Sequence, residues 1–364
     1  MTGKVVTLTA GMGAGHDQVA FELQRRLEER GLQSEVIDVW DLVPFGLGRL
    51  ITVFYKGMVR YCPWLYELIY AFWFRPVDQS RRRASPLVRL AGRRLHRWMQ
   101  ANRPSAVVST FHVCSQILGD LRRRGLMPVE TASIVVDFAA HGLWVDPDVD
   151  HHFCLHEAQA ERVRSLGAPN AEAVGPVVRP PFAEPRLTRD QARAELGIDP
   201  AARVVLIVAG SWGAGHIERT TSISAAGGFE TVVVTGRNEA LRRRIATLGK
   251  ARVFGWVEDM ARLMIASDVM VENAGGLMAM EAMAVGTPVV SFEPIPGHGR
   301  ENVARMDEVG VSRFARSEGE LLETLSRLMD EEPFRKRLIL TGQKMFRADV
   351  ADRVAAMTER CPTA

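Results

Sequence analysis

The chain carries one short pattern twice. Residues 5–16 read VVTLTAGMGAGH and residues 204–216 read VVLIVAGSWGAGH. Each is an apolar run of strand length, followed by a glycine-rich turn that ends Gly-Ala-Gly-His. A strand feeding such a turn is the opening of an open α/β sheet, in which backbone N–H groups at the start of the next helix face a crevice and attract anions. Two openings, roughly 200 residues apart, predict two nucleotide-type domains facing one another across a cleft.

The rest of the chain keeps this rhythm. VVTLTA, SEVIDV, AVVST, ASIVVD and HHFCL in the first half, and VVLIVAG, TVVVTG, ARVFG, DVMVEN and TPVVSF in the second, are short apolar runs. They alternate with amphipathic stretches such as Gln18–Arg30 and Glu239–Leu248, which predicts parallel sheets covered by helices. Residues 175–185, GPVVRPPFAEP, are held extended by their prolines and suit a linker. The expected domains are therefore 1–178, 179–345 and a terminal segment 346–364. A last helix over about Gln343–Thr358 is free to pack on either domain.

A chain of 364 residues with 47% hydrophobic and 24% charged residues is globular and long enough for two cores. Its net charge of +3 is too small to make nucleic acid the main partner. The charge is unevenly placed: Arg75, Arg81, Arg82, Arg83, Arg89, Arg93, Arg94, Arg97 and Arg103 crowd one stretch against Asp78 alone. Such a face binds anionic lipid or phosphate, or is simply solvated. The four cysteines, Cys62, Cys114, Cys154 and Cys361, are scattered and read as reduced thiols. No run reaches the ~20 apolar residues needed to span a bilayer, and the start of the chain lacks a charged-apolar-small leader, so a cytoplasmic protein is expected. Residues 45–74, FGLGRLITVFYKGMVRYCPWLYELIYAFWF, break the alternation. They read either as core helices or as an interfacial element that dips aromatic side chains into a membrane surface.

The first turn, Gly11-Met12-Gly13-Ala14-Gly15-His16, is neither the dinucleotide fingerprint nor a P-loop: His16 stands where a third glycine would fall, and no Lys-Ser/Thr pair follows. A histidine at the helix entrance either takes a proton from an attacking hydroxyl or serves only as a turn residue. The second turn, with Ser211 and Gly213, lets a diphosphate approach the backbone. Downstream, Asn273-Ala274-Gly275-Gly276 follows a strand and opens a helix carrying Glu281. Glycine N–H groups there suit a phosphate, and Glu281 can accept hydrogen bonds from ribose hydroxyls. Arg237 of VTGRN is placed to neutralise charge on a leaving diphosphate. The acidic run Asp146-Pro147-Asp148-Val149-Asp150 lacks the glycine and terminal glutamate of a calcium loop, and no metal is expected there.

In order along the chain stand GAGHDQVA, CPWLYELIYAFW, VVDFAAHGLWVDPDVD, VGPVVRPPF, VTGRN, NAGGLMAMEAMAVGTPVV and PIPGHGREN. This succession, from about residue 5 to about residue 315, resembles the monogalactosyldiacylglycerol synthases and processive diacylglycerol glycosyltransferases, themselves similar to the enzyme that adds N-acetylglucosamine to lipid I. The resemblance implies an α/β protein of the GT-B arrangement, two Rossmann-like domains with parallel sheets facing a central cleft. It also implies metal-free, inverting transfer from a UDP-sugar to a lipid hydroxyl, with no cofactor besides the donor. His16 would then be the base or part of the acceptor site, with Asp137 the other candidate base, and Gly15, His141 and Trp144 on the acceptor side. Gly275 and Gly276 would bind the diphosphate, Glu281 the ribose, and amides near Phe254 and Val257 the uracil. Glu301 and Asn302 would lie by the donor sugar, and Asn273 and His298 would also bind the donor. Residues 45–97 would meet an anionic membrane surface, making the protein peripheral on the inner face of the cell membrane.

One departure stands out. Where the family reads Gly-Gln-Glu, this chain has Gly297-His298-Gly299, losing two side chains that read sugar hydroxyls, so the donor sugar need not be glucose or galactose. A secondary-metabolite glycosyltransferase, or a UDP-sugar epimerase of the same architecture, is the alternative; the match to PWLYELIY argues against the epimerase.

Overall fold

A computed structural model describes residues 3–73 and 84–360. Arg75, Asp78, Arg81, Arg82, Arg83 and Cys361 of the sequence reading lie outside them. Two compact units emerge: residues up to Val177 together with those from Met345 onward, and Val178–Lys344.

The first unit is built on six strands, β1 (Lys4–Thr9), β2 (Gln33–Asp38), β3 (Ala106–Ser109), β4 (Glu130–Ile134), β5 (His151–Cys154) and β6 (Ala171–Ala173). They form one parallel sheet in the order β2-β1-β3-β4-β5-β6. Its helices are α1 (Ala14–Glu29), α2 (Leu47–Tyr61), α3 (Pro63–Trp73), α4 (Pro86–Asn102), α5 (His112–Arg123) and α6 (Glu157–Ser165). Valines and leucines of β1 and β3 are wholly buried between α4 and α5 on one face, as expected for parallel strands covered on both sides.

The second unit starts with α7 (Pro180–Ala183) and α8 (Arg189–Leu196). Its strands are β7 (Val204–Val208), β8 (Glu230–Val234), β9 (Arg252–Phe254), β10 (Val269–Glu272), β11 (Val289–Phe292) and β12 (Arg313–Ala315). They make a second parallel sheet in the order β12-β11-β10-β7-β8-β9. Between them run α9 (Ile217–Ala226), α10 (Glu239–Thr247), α11 (Met260–Ala266), α12 (Leu277–Val285) and α13 (His298–Glu308), followed by α14 (Glu318–Asp330) and α15 (Glu332–Gln343). The final helix, α16 (Val350–Glu359), returns to the first unit. It starts seven residues later than the sequence pattern suggested, because Asp349 caps its first turn and also pairs with Arg26 and Arg30 of the α1 segment. No helix among the described residues is long and apolar enough to cross a membrane.

The second unit is pinned by one charged side chain in its interior. Arg193 of α8 is wholly buried. It donates to the carbonyls of Ala266, Pro200 and Ala202 at 2.9, 2.7 and 3.0 Å and to Asp268 at 3.0 Å. Asp268 in turn accepts from the Val204 amide at the head of β7. Replacing Asp268 by Ala strands a buried guanidinium without its counter-charge, and is expected to cost about 3–5 kcal/mol of stability, read as a lowered urea midpoint.

Candidate functional site

Each sheet reverses its winding once. In the first, strand order turns between β1 and β3; in the second, between β7 and β10. At such a switch point the connecting chains leave on opposite sides and open a crevice at the carboxyl ends of the strands, where α/β proteins bind ligands. Both glycine turns lie at these points, and a side chain bridges each crevice.

In the first unit the bridge is His16. Gly13, at φ 145°, caps α1 without a side-chain bond, and His16 sits in the first turn of the helix. Its Nδ1 lies 3.0 Å from the carbonyl of Thr110, just beyond β3. A carbonyl offers only lone pairs, so Nδ1 carries the proton and donates, leaving the Nε2 lone pair open. The ring packs edge-on to Phe111 at 5.0 Å and lies 6.1 Å from Trp144. Trp144 is wholly buried, and its indole N–H donates to Asp137 at 2.9 Å. His141 approaches the same carboxylate oxygen at 3.9 Å. Gln159 holds the Asp137 backbone by bonding its carbonyl at 2.6 Å. His16, Asp137 and His141 are thus assembled around the Trp144 indole, and Gly15 precedes His16 in the first turn of α1. The sequence reading missed His112, at the start of α5, whose ring lies 5.2 Å from His141 and 6.0 Å from Trp144, and Tyr70 of α3, 6.1 Å from His141. His112 follows an apolar run without a glycine turn, so it carried no local signal.

In the second unit the bridge is Asn273, whose side-chain amide donates to the Ala214 carbonyl at 2.9 Å. Two more asparagines clamp the neighbouring turns. Asn238 donates to the Gly213 carbonyl at 3.2 Å and caps α10 through Leu241 N–H. Asn302, almost wholly buried, donates to the Ala274 carbonyl at 3.2 Å. Gly275 is required twice over: its φ is +63°, and a Cβ there would come within 2.6 Å of the Asn302 side chain.

The Gly275 amide does not face outward. It and the Ala274 amide donate to Glu272, at 2.5 and 2.7 Å, and Ser291 donates to the other carboxylate oxygen of that buried side chain. Burial pushes the Glu272 carboxyl up, while the bonds from Ser291 and the two amides pull it back. The uncapped start of α12, at Gly276, is what this turn presents. Near the ends of β8 and β9, the Arg237 guanidinium lies 4.4 Å over the exposed Trp256 ring, and the Arg237 amide donates to the Ser211 carbonyl. The Phe254 carbonyl is taken by Thr235, and Val257 is half-buried, three residues beyond Phe254. Glu281 is wholly buried on α12 and pairs with Arg179 at 3.0 Å. Glu301 lies in the first turn of α13. His298 opens that helix after Gly297, at φ 69°, and Gly299 packs against the Ile295 side chain so closely that a Cβ would stand 2.4 Å from it.

The two Gly-Ala-Gly-His copies therefore diverge. In the first, the helix begins at Ala14 and draws the histidine inward. In the second, Gly213 and Gly215 keep positive φ, the helix waits until Ile217, and His216 is left 77% exposed, 3.5 Å from Glu293. The acidic run is accounted for by α5: Asp146 and Asp148 each take Arg123 at 2.7 Å, and Asp150 takes Arg122.

Residues 45–74 prove two-faced as far as they are described. Met58, Tyr66 and Tyr70 form a buried cluster with Tyr55, Leu65 and Ile69. The opposite face carries Leu50, Phe54, Trp64 and Phe72 at 60–71% exposure. On α4, Arg89, Arg93 and Arg97 form an exposed stripe at four-residue spacing.

Two six-stranded parallel sheets with glycine turns at both switch points define the GT-B arrangement, and solved structures agree. Acinetobacter baumannii MurG matches with a TM-score of 0.61 at 14% identity, over 99% of this chain and 100% of that one. TcCGT1 in complex with UDP matches with a TM-score of 0.66 at 12% identity, over 99% and 100%. Residues 16–178 match the family model of monogalactosyldiacylglycerol (MGDG) synthase, and residues 217–348 that of glycosyl transferases group 1. The processive diacylglycerol beta-glucosyltransferase of Bacillus subtilis strain 168 is 26% identical over 354 residues, covering 90% of this chain and 87% of the relative. That of Bacillus cereus strain AH187 is 26% identical over 363 residues, covering 96% and 92%. The chain is a glycosyltransferase, similar over most of its length to these diacylglycerol glucosyltransferases.

Gly275→Ala forces a side chain into a left-handed backbone position against Asn302. It is expected to cost about 1–3 kcal/mol, measured by urea unfolding.

Proposed function

We propose that the chain moves a hexose from a UDP-sugar to a lipid hydroxyl, diacylglycerol or a glycolipid, with inversion and without a metal. The observation that carries this reading is the His16 ring: with Nδ1–H committed to the Thr110 carbonyl, Nε2 is the free base. In the proposed step Nε2 takes the proton of the acceptor hydroxyl. The acceptor oxygen forms its bond to the anomeric carbon from the face opposite UDP, and the bond from that carbon to the diphosphate oxygen breaks, its electron pair leaving with UDP. Asp137 is engaged by the Trp144 indole and lies near His141, so it serves better to hold this wall than to take the proton. Developing charge on the diphosphate meets the uncapped N-terminus of α12 at Gly276 and the Arg237 guanidinium. No cofactor beyond the donor takes part in this scheme.

The acceptor side supports a lipid. The apolar outer face of α2 and α3 is backed by an inner face whose Tyr70 lies against His141, so a helix pair lying in the membrane interface would put the candidate base beside lipid headgroups. Exposed Lys56 and the α4 arginines suit anionic lipid. The protein would then be peripheral on the cytoplasmic face of the membrane.

His16→Ala is expected to lower transfer by about 10²–10⁴-fold, the usual contribution of a general base, with UDP affinity unchanged; unaltered turnover removes His16 from the mechanism. Changing Phe54, Trp64 and Phe72 together to Ser should reduce sedimentation with acidic-lipid vesicles at least about tenfold, since each side chain contributes roughly 1.5–3 kcal/mol when buried. Equal partitioning of both forms would defeat the membrane reading.

A further inference from the structure

Glu281 is held by a residue that lies outside the glycine turns. Arg179, at the start of the second unit, donates from Nε at 3.2 Å and from Nη2 at 3.0 Å, both to the same oxygen, Oε1. The guanidinium is steadied by the Phe182 ring at 5.0 Å, and Pro180 and Pro181 fix the short helix α7 that carries this ring. The second carboxylate oxygen, Oε2, is buried and accepts no hydrogen bond. A buried carboxylate oxygen without a donor is costly, so the pair is built to receive a donor from outside the protein.

We propose that Arg179 is a positioning residue for nucleotide recognition: by occupying Oε1 it orients Glu281 so that Oε2 accepts a ribose hydroxyl of the donor. This inference rests on the reading of Glu281 as the ribose-binding residue. Burial pushes the Glu281 carboxyl up to about 7, against the opposing pull of Arg179. Of the elements packed on α12, namely α7, α11, α15 and β11, α11 and α15 carry Arg262, Glu332, Arg335, Lys336 and Arg337. Only Arg179 acts on the charge of Glu281 among the described residues. The sign follows. Above pH 7 the carboxylate is ionised and offers acceptors; as pH falls through about 7 it takes a proton and discrimination weakens. Without Arg179 its opposing pull is lost and the carboxyl rises further.

The test is the ratio of affinities for UDP and 2′-deoxyuridine diphosphate, by calorimetry between pH 6 and 9, because phosphate titration cancels in that ratio. The native chain should prefer UDP by about tenfold or more at pH 8, as expected for a hydrogen bond to a charged acceptor, and lose this preference below pH 7. Arg179→Gln should bring the ratio close to one at pH 8 while still binding the deoxynucleotide, and Arg179→Lys should restore most of it. If Arg179→Gln keeps the native ratio and pH profile, or weakens both ligands equally, the inference is overturned. Glu281→Gln separates the two readings: should it leave the ratio intact, Glu281 does not read ribose and the underlying assignment fails instead.

Discussion

A side-chain hydrogen bond crosses the switch point of each sheet, from His16 to the Thr110 carbonyl in the first unit and from Asn273 to the Ala214 carbonyl in the second. Parallel strands deliver their connections to the same edge of the sheet, and the reversal of winding leaves a gap there that backbone pairing cannot close. A side chain must span it, and the choice of side chain sets the chemistry. An imidazole whose Nδ1 is committed presents a base. A carboxamide donating to a carbonyl presents only a shaped turn. The two units share an architecture and differ in the side chain that spans the switch point.

The second unit shows what a rigid turn at a helix entrance needs besides glycine. Glu272 collects the Ala274 and Gly275 amides from below, and three asparagines pin the neighbouring carbonyls. Each bond removes a backbone group from competition with a ligand and fixes the first turn of α12 in the uncapped state, where its dipole is open to an anion. Rigid placement of such dipoles is the economical way to stabilise a leaving diphosphate, because no reorganisation is required at the moment charge develops.

The helix pair α2 and α3 resolves what looked like two competing readings of one segment. Its tyrosines pack inward and its Leu50, Phe54, Trp64 and Phe72 point outward, so core and exposed apolar face are opposite sides of the same element. Exposed apolar surface of this extent asks for a partner. The buried aromatic side carries that surface close to His141 and the histidine cluster.

The alternation of apolar runs and the glycine turns made the α/β class and ten of the twelve strands legible, because burial on both faces demands continuous apolar residues. The two strands it passed over, Ala171–Ala173 and Arg313–Ala315, are three-residue edges with half-exposed positions, too short to leave a pattern. Local sequence could mark His16 and Glu281 as chemical candidates but not their partners. Thr110 lies 94 residues from His16, and Arg179 lies 102 from Glu281. Nor could it separate two identical Gly-Ala-Gly-His stretches, since where a helix begins depends on whether a distant carbonyl draws the histidine in. Periodicity and turn chemistry are local and belong to the sequence. The tautomer of a ring, the charge on a buried carboxylate and the exposure of one helix face arise from groups that meet only when the sheets close, and the folded structure alone decided them.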